Sequence, residues 1–229
     1  MRPDGMDYDT ETRNAYRSEG RAAAYKRRQT RQWSWMRLAT WRQQALISRL
    51  ADQLRLGPGR VVLDAPCGTG ILGPVVNALG CDVIAADISA AMMSLARPEY
   101  NARTFRGFLQ ADLLQLPLAP KSVDTVITLG FLHRVPAEIR RAALSELAFA
   151  SRGPLVATCS IDSFAQRVKG RLLSAVKPDY LPAPHRAKLA DLVADCEAAG
   201  LRVVAVHRPL PLLSANAVIV LDHRADRVA

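Results

Sequence analysis

The chain alternates short apolar runs with longer stretches in which apolar residues recur every three or four positions. The short runs are RVVLDA (60–65), CDVIAAD (81–87), FRGFLQAD (105–112), SVDTVITLG (122–130), PLVATCS (154–160), LRVVAVHR (201–208) and NAVIVLDH (216–223). Each has the length and β-branched content of a strand. Between them, GTGILGPVVNALG (68–80), AAMMSLA (90–96), AEIRRAALSELAFA (137–150) and RAKLADLVADCEAAG (186–200) read as helices. Ser89 is a good N-cap, Pro136 suits a helix start, and Gly80 and Gly200 suit helix ends. Upstream, Trp35, Leu38, Trp41, Leu46, Leu50 and Leu54 predict one helix over 31–56, stopped by Gly57-Pro58-Gly59. Strands alternating with helices of this length predict an α/β fold, with a mostly parallel sheet and helices on both faces.

The most informative stretch is VVLDAPCGTG (61–70). A strand ends in Asp64, a tight loop follows, and Gly68 and Gly70 precede a helix. Open parallel sheets bind ligands at the carboxyl ends of strands, near the switch in strand order. Glycines let a ligand approach the backbone, and a helix N-terminus offers free N–H groups. Asp87 ends the second strand, where a carboxylate can accept from both ribose hydroxyls of an adenosine group. Asp112 ends the third strand. Gly68-Thr-Gly-Ile-Leu-Gly73 also satisfies the G-x-G-x-x-G dinucleotide pattern, which is weak alone. A carboxylate at Asp64 would repel a pyrophosphate, so this second reading ranks below the first.

The set LDAPCGTG, VIAADIS, QADLLQLPLAPKSVDTVITLGFLHRV and the closing LRVVAVHR…NAVIVLDH pair resembles the class I S-adenosylmethionine-dependent methyltransferases, of the type 11-like small-molecule group, over roughly residues 31–222. The resemblance implies a Rossmann-like sheet of seven mostly parallel strands with an antiparallel last strand. It implies an N-terminal arm and capping helix (1–56) on a methyltransferase domain (57–229), with 161–188 as a lid insertion. The cofactor would be S-adenosylmethionine. Asp64 would lie beside its amino group, in a loop formed with Ala65, Pro66, Cys67, Gly68 and Gly70. Asp87, followed by Ile88, would bind the ribose. Asp112 and the Leu113 backbone would bind adenine, with Met92 packed on it. Leu129 to Phe131 would line the methionine side. The family usually has glycine where this chain has Pro66.

The acceptor is harder to read. The slot after strand four is Thr128-Leu129-Gly130-Phe131, without the Asn/Asp-Pro-Pro-Tyr/Phe motif of amino-group nucleic-acid methylases. Pro66-Cys67 sits in the cofactor loop and cannot serve cytosine C5 chemistry. No carboxylate cluster suggests a metal. His133, just after strand four, is the candidate general base, set against an ordering role for the same histidine. His185 and Tyr180 read as packing or lid residues. Tyr16, Tyr25 and Arg28 are candidates to reach the donor's carboxylate from the arm.

Charge narrows the partner. The sequence has 31 Lys+Arg and 21 Asp+Glu, a formal net of +10, and only 5 of the basic residues are Lys. Residues 61–160 are balanced, with 8 Lys/Arg and 8 Asp/Glu. The excess lies mainly in residues 1–60 and in 161–188, the two segments expected to cover the active-site mouth. The reaction read from the resemblance is methyl transfer to an oxygen or nitrogen of a small acceptor, and an electropositive entrance points to one that is acidic, phosphorylated or lipid-like. The apolar stripe of Phe164, Val168, Leu172, Leu173 and Val176 between basic residues also suits peripheral contact with an anionic membrane. Two other readings are a nucleic-acid methylase or binding protein using the basic arm, and a non-catalytic cofactor-binding partner subunit. Composition excludes a disordered chain: 49% of residues are hydrophobic. No apolar run is long enough for a spanning helix, and MRPDGMDYDTETRN does not read as a signal peptide. Cys67, Cys81, Cys159 and Cys196 form no C-x-x-C pair, which predicts free thiols and a cytoplasmic protein. The assembly is read as monomer or homodimer.

Overall fold

The computed structural model describes Gly20, Ala23, Lys26, Arg27 and residues 35–162, 185–209 and 215–224. In chain order the elements are α1 (Trp35–Arg49), β1 (Val61–Asp64), α2 (Gly73–Leu79), β2 (Asp82–Asp87), α3 (Ala90–Ala96), β3 (Phe105–Gln110), β4 (Thr125–Thr128), α4 (Ala137–Ala150), β5 (Leu155–Ser160), α5 (Leu189–Ala198), β6 (Leu201–His207) and β7 (Asn216–His223). One sheet of 7 strands has the order β3-β2-β1-β4-β5-β7-β6. The pairs from β3 through β5 are parallel. β7 inserts antiparallel between β5 and β6. The predicted Rossmann-like arrangement with an antiparallel last strand is the observed one.

The central strands are apolar throughout because both their faces are covered. Successive side chains point to opposite faces. Leu63, Val126 and Leu155 enter the core with Leu144 and Leu147 of α4 and Leu192 of α5. Their neighbours Val62, Ile127 and Val156 enter a second core with Ile47 of α1, Val75 and Val76 of α2 and Met93 of α3. The sequence order reverses between β1 and β4, where Asp64 pairs in register with Ile127. The crevice at the carboxyl ends of these two strands is the topological switch point.

The caps behave as the residue types require. The Ser89 hydroxyl accepts from the Met92 N–H, and Gly80 closes α2 in the left-handed region at φ 68°. α1 differs from the sequence expectation. It ends at Arg49, and the chain turns through residues 50–55. That turn buries Leu54 and Leu56, and the Thr125 hydroxyl donates to the Leu54 carbonyl at 2.6 Å. The predicted apolar stripe is therefore split. Trp41 is 56% exposed with the Arg42 guanidinium over its ring, whereas Ile47 is fully buried. The proposed lid is described only at its ends, and Tyr16, Tyr25, Arg28, Trp33 and Tyr180 lie outside the described residues.

All four cysteines are buried free thiols. Among the described residues no helix is long and apolar enough to cross a membrane, and no cluster suits a metal.

Candidate functional site

The loop after β1 sits at the switch point. Its Ala65–Pro66 bond is cis, and its left-handed turns fall on Gly68 (φ 53°) and Gly70 (φ 80°). Proline cannot adopt such angles, so the left-handed turns of this loop fall to the glycines. The two glycines do different work. A Cβ on Gly68 would project into open space, whereas one on Gly70 would stand 2.9 Å from the Glu99 Cβ. Gly73, the third glycine of the formal dinucleotide pattern, packs on the chain. A Cβ there would stand 2.3 Å from the Glu99 carbonyl oxygen. Gly73 is thus accounted for by the close approach of residues 96–99.

The expectation of free N–H groups at a helix start needs correction. α2 begins only at Gly73, and the loop amides are already committed. Cys67 N–H donates to the Ala86 carbonyl at 2.8 Å, and Gly70 N–H to the Cys67 carbonyl at 2.9 Å. Gly68 N–H donates to Asp87 Oδ2 at 2.9 Å. Ser89 N–H donates to Asp87 Oδ1, also at 2.9 Å. Both Asp87 oxygens are therefore oriented by backbone from two segments. Burial raises the Asp87 pKa, and these N–H donors oppose the rise by favouring the carboxylate.

Asp64 lies beside this loop and is 1% exposed. Tyr100 donates to its Oδ2 at 2.6 Å from the segment after α3. The Asp64 pKa is raised to about 7: burial is the main cause and the nearby Asp87 charge adds to it, while the Tyr100 hydrogen bond opposes the rise. Burial and the same two carboxylates hold the Cys67 thiol far above its ordinary range, so it is protonated and inert. Sequence reasoning missed Tyr100. The only signal was an aromatic residue after the α3 segment, close in sequence to Phe105 and Phe108.

The remaining candidates surround this centre. Met92 is buried on the first turn of α3. β3 stops at Gln110, so Asp112 lies in a turn rather than at a strand end as expected. Its Oδ1 accepts from the Leu114 N–H at 3.1 Å, while Leu113 is buried in the core. Leu129 and Phe131 are buried after β4, and Gly130 N–H donates to the Thr158 hydroxyl at 2.7 Å.

His133 follows on the same loop. Its Nδ1 is buried without a hydrogen-bond partner among the described residues. Its pKa is lowered to about 4, mainly by burial and in smaller part by the charges of Arg134 and Arg186. The His185 N–H donates to the His133 carbonyl at 3.1 Å, which ties the segment before α5 to this loop. Arg140 of α4 is buried and ion-paired with Asp195 of α5, and its Nη1 donates to the Leu132 carbonyl at 3.4 Å. Arg141 reaches the other Asp195 oxygen at 2.9 Å. The loop after β4 is thus anchored from behind by a charge network that sequence reading did not identify. His207 lies on β6 and His223 on β7, both away from the switch point.

The switch-point crevice, the acidic strand ends and the 3-2-1-4-5-7-6 order define a class I methyltransferase fold. A family model described as a methyltransferase domain matches residues 62–152, the stretch from β1 to the end of α4. An O-methyltransferase of Pyrenophora dematioidea is 34% identical over 101 residues, covering 42% of this chain and 37% of that protein. A malonyl-[acyl-carrier protein] O-methyltransferase of Pectobacterium atrosepticum is 41% identical over 76 residues, covering 33% of this chain and 29% of that protein. The matches thus span about a third of the length of these curated relatives. Among solved structures, magnesium protoporphyrin IX methyltransferase from Synechocystis PCC 6803, with bound SAH, superposes with a TM-score of 0.74 at 22% identity. That superposition covers 93% of this chain and 98% of the other.

Proposed function

We propose that this protein transfers the methyl group of S-adenosylmethionine to an oxygen of a small anionic acceptor. Asp87 would take the ribose hydroxyls, Asp112 and the Leu113 backbone the adenine edge, and Met92 the adenine face. Ile88 would border the ribose. Asp64 and the loop from Ala65 through Pro66, Cys67, Gly68 and Gly70 would hold the amino-acid end, with Leu129 closing the methionine side. The open space above Gly68 suits a ligand lying against the backbone, since any side chain there would occupy it. When bound, S-adenosylmethionine supplies an electrophilic methyl group with its own leaving group. The chain's task is then to align the acceptor and keep water out.

The observation that carries the acceptor reading is His133. A buried imidazole with a pKa of about 4 is neutral at physiological pH and is too weak a base to ionise a hydroxyl efficiently. Arg134 and Arg186 place positive charge around the same loop. An acceptor that arrives as a carboxylate needs no base and gains from guanidinium contacts. The names of the curated relatives, all O-methyltransferases, favour the same bond.

The test is transfer of a labelled methyl group to a panel of small carboxylic acids, phenols and amines, with the product then treated with alkali. Methyl esters release the label as volatile methanol, whereas methyl ethers and methylamines retain it. Alkali-labile label on carboxylic acids is the expected result. Stable label confined to phenols or amines would sink the carboxylate reading and leave the methyl-transfer reading standing.

A further inference from the structure

Tyr100 is a residue that neither the motif nor the resemblance singles out. It is 7% exposed, and its hydroxyl reaches Asp64 across 36 positions of sequence at 2.6 Å. Its ring cannot swing freely. It stacks on Phe105 of β3 with centroids 5.1 Å apart and planes 13° from parallel, and Phe108 meets it edge-on at 6.2 Å. Phe105 is itself held by Phe108 at 4.8 Å and by the Arg97 guanidinium 5.2 Å above its ring. The segment that carries Tyr100 is clamped as well. Asn77 donates to the Glu99 carbonyl at 2.8 Å, and Gly73 leaves room for the Glu99 backbone. A tightly packed aromatic shelf thus delivers one hydroxyl to one carboxylate at the switch point.

We infer that Tyr100 is a positioning residue of the donor site, engaging Oδ2 of Asp64 so that the carboxylate is held for the ammonium of the donor's amino-acid end. The inference rests on the proposed placement of the S-adenosylmethionine amino group beside Asp64. Its physical content is specific. A hydrogen bond donated to a carboxylate favours the charged form. The groups that face Asp64 are Asp87 from the end of β2, Cys67 from the loop and Tyr100 itself. Asp87 works against ionisation, the Cys67 thiol is uncharged, and Tyr100 alone favours the carboxylate. Without the hydroxyl, Asp64 would take up a proton at a higher pH and lose its attraction for an ammonium.

The experiment is calorimetric titration of wild type, Tyr100→Phe and Asp64→Asn with S-adenosylmethionine and with 5′-methylthioadenosine, which lacks the amino-acid end. The range is about pH 5.5 to about pH 7.5, where an α-amino group is largely protonated. Wild-type affinity for S-adenosylmethionine should fall as the pH is lowered through this range. Tyr100→Phe keeps the ring and its stacking. It should bind S-adenosylmethionine about ten-fold more weakly at neutral pH, with affinity still rising at the top of the range, as expected for a shift of about one unit. Its affinity for 5′-methylthioadenosine should stay within about two-fold of wild type, the size of change that leaves a contact unaffected. Asp64→Asn should bind S-adenosylmethionine weakly with a flat pH response.

Equal loss of both ligands in Tyr100→Phe would mark a merely structural role and overturn the inference. So would an unchanged pH response for S-adenosylmethionine. If Tyr100→Phe fails to fold, as judged by circular dichroism, the wild-type and Asp64→Asn titrations decide: a flat wild-type pH response overturns the inference. Failure of wild type to bind either ligand at any pH would instead refute the donor reading, a result distinguishable from both.

Discussion

The two halves of the crevice are built by opposite means. On the β1–β2 side the chemistry is acidic, and backbone fixes it. Asp87 receives one N–H from Gly68 and one from Ser89, and Asp64 sits at the end of a buried strand. On the β4–β5 side the chemistry is cationic, and side chains from distant segments assemble it. Arg134 follows β4, Arg186 precedes α5, and the backbone bond from His185 to His133 joins the two. On the proposed reading the acidic half takes the donor, whose shape does not vary between enzymes, and the cationic half takes the acceptor, because loops tolerate substitution that strand ends at a switch point do not.

The largest break in this comparison should come from Asp87. Asp87→Ala removes the group that accepts from two loop amides and, on the proposed reading, from two ribose hydroxyls. Affinity for S-adenosylmethionine should fall about 100-fold or more, equivalent to about 2.7 kcal/mol. Calorimetry with the folded variant checks it. An affinity within a factor of a few of wild type would show that the acidic half does not hold the ribose.

The same contrast explains what could be read from the chain alone. The acidic half was legible as a strand end and glycine turn because its constraints are local. Asp64, Gly68 and Gly70 fall within seven residues, and period-2 and helical patterns placed each at a strand end or turn. The mostly parallel sheet followed from the alternation of elements, and its antiparallel last strand from the family resemblance. Contacts that join residues far apart in sequence were not legible. Tyr100 reaches Asp64 over 36 positions, and Arg140 reaches Asp195 over 55. A lone tyrosine or arginine carries no periodic signature of such a partner. Trp41 shows the reverse error. It fits a helical apolar stripe, yet packing closes around Ile47 and Leu54 and leaves Trp41 at the surface. Pattern alone cannot say which part of a stripe finds a partner. Asp112 was expected at a strand end, yet β3 stops at Gln110 and the Asp112 carboxylate accepts from the Leu114 amide in an Asx-type turn.

A second, smaller break should fall on the cationic half alone. Arg186→Ala removes one of the two guanidinium groups set around the loop after β4. For an anionic acceptor, KM should rise about ten-fold while affinity for S-adenosylmethionine stays unchanged, since one charge-assisted contact is worth about 1.5–3 kcal/mol before solvent exposure reduces it. Arg186→Lys should recover part of the loss, because a point charge replaces the guanidinium fork. Steady-state kinetics with an ionised and a neutral acceptor of similar size make the check. An equal rise in KM for both would mean that Arg186 shapes the loop rather than attracting charge.

The finest discrimination concerns His133, the residue the sequence put forward as a base. Its pKa is lowered to about 4, first by burial and then by Arg134 and Arg186, so the imidazole is neutral throughout the physiological range. A group with a depressed folded pKa gives up stability as pH falls from its unfolded value near 6.5 toward 4, because only the unfolded chain gains the proton there. His133→Asn should therefore reduce acid sensitivity: the melting temperature of the variant should fall less steeply than that of wild type between about pH 6.5 and about pH 4. Its effect on kcat should be small, a few-fold at most, since removing a true general base costs about 100-fold or more. The kcat profile above about pH 5 should keep its shape in the variant. A large fall in kcat that is rescued as pH rises would return His133 to the role of base and shift the acceptor from a carboxylate to a hydroxyl. A small, pH-independent change would leave the cationic half as a site that receives an anion.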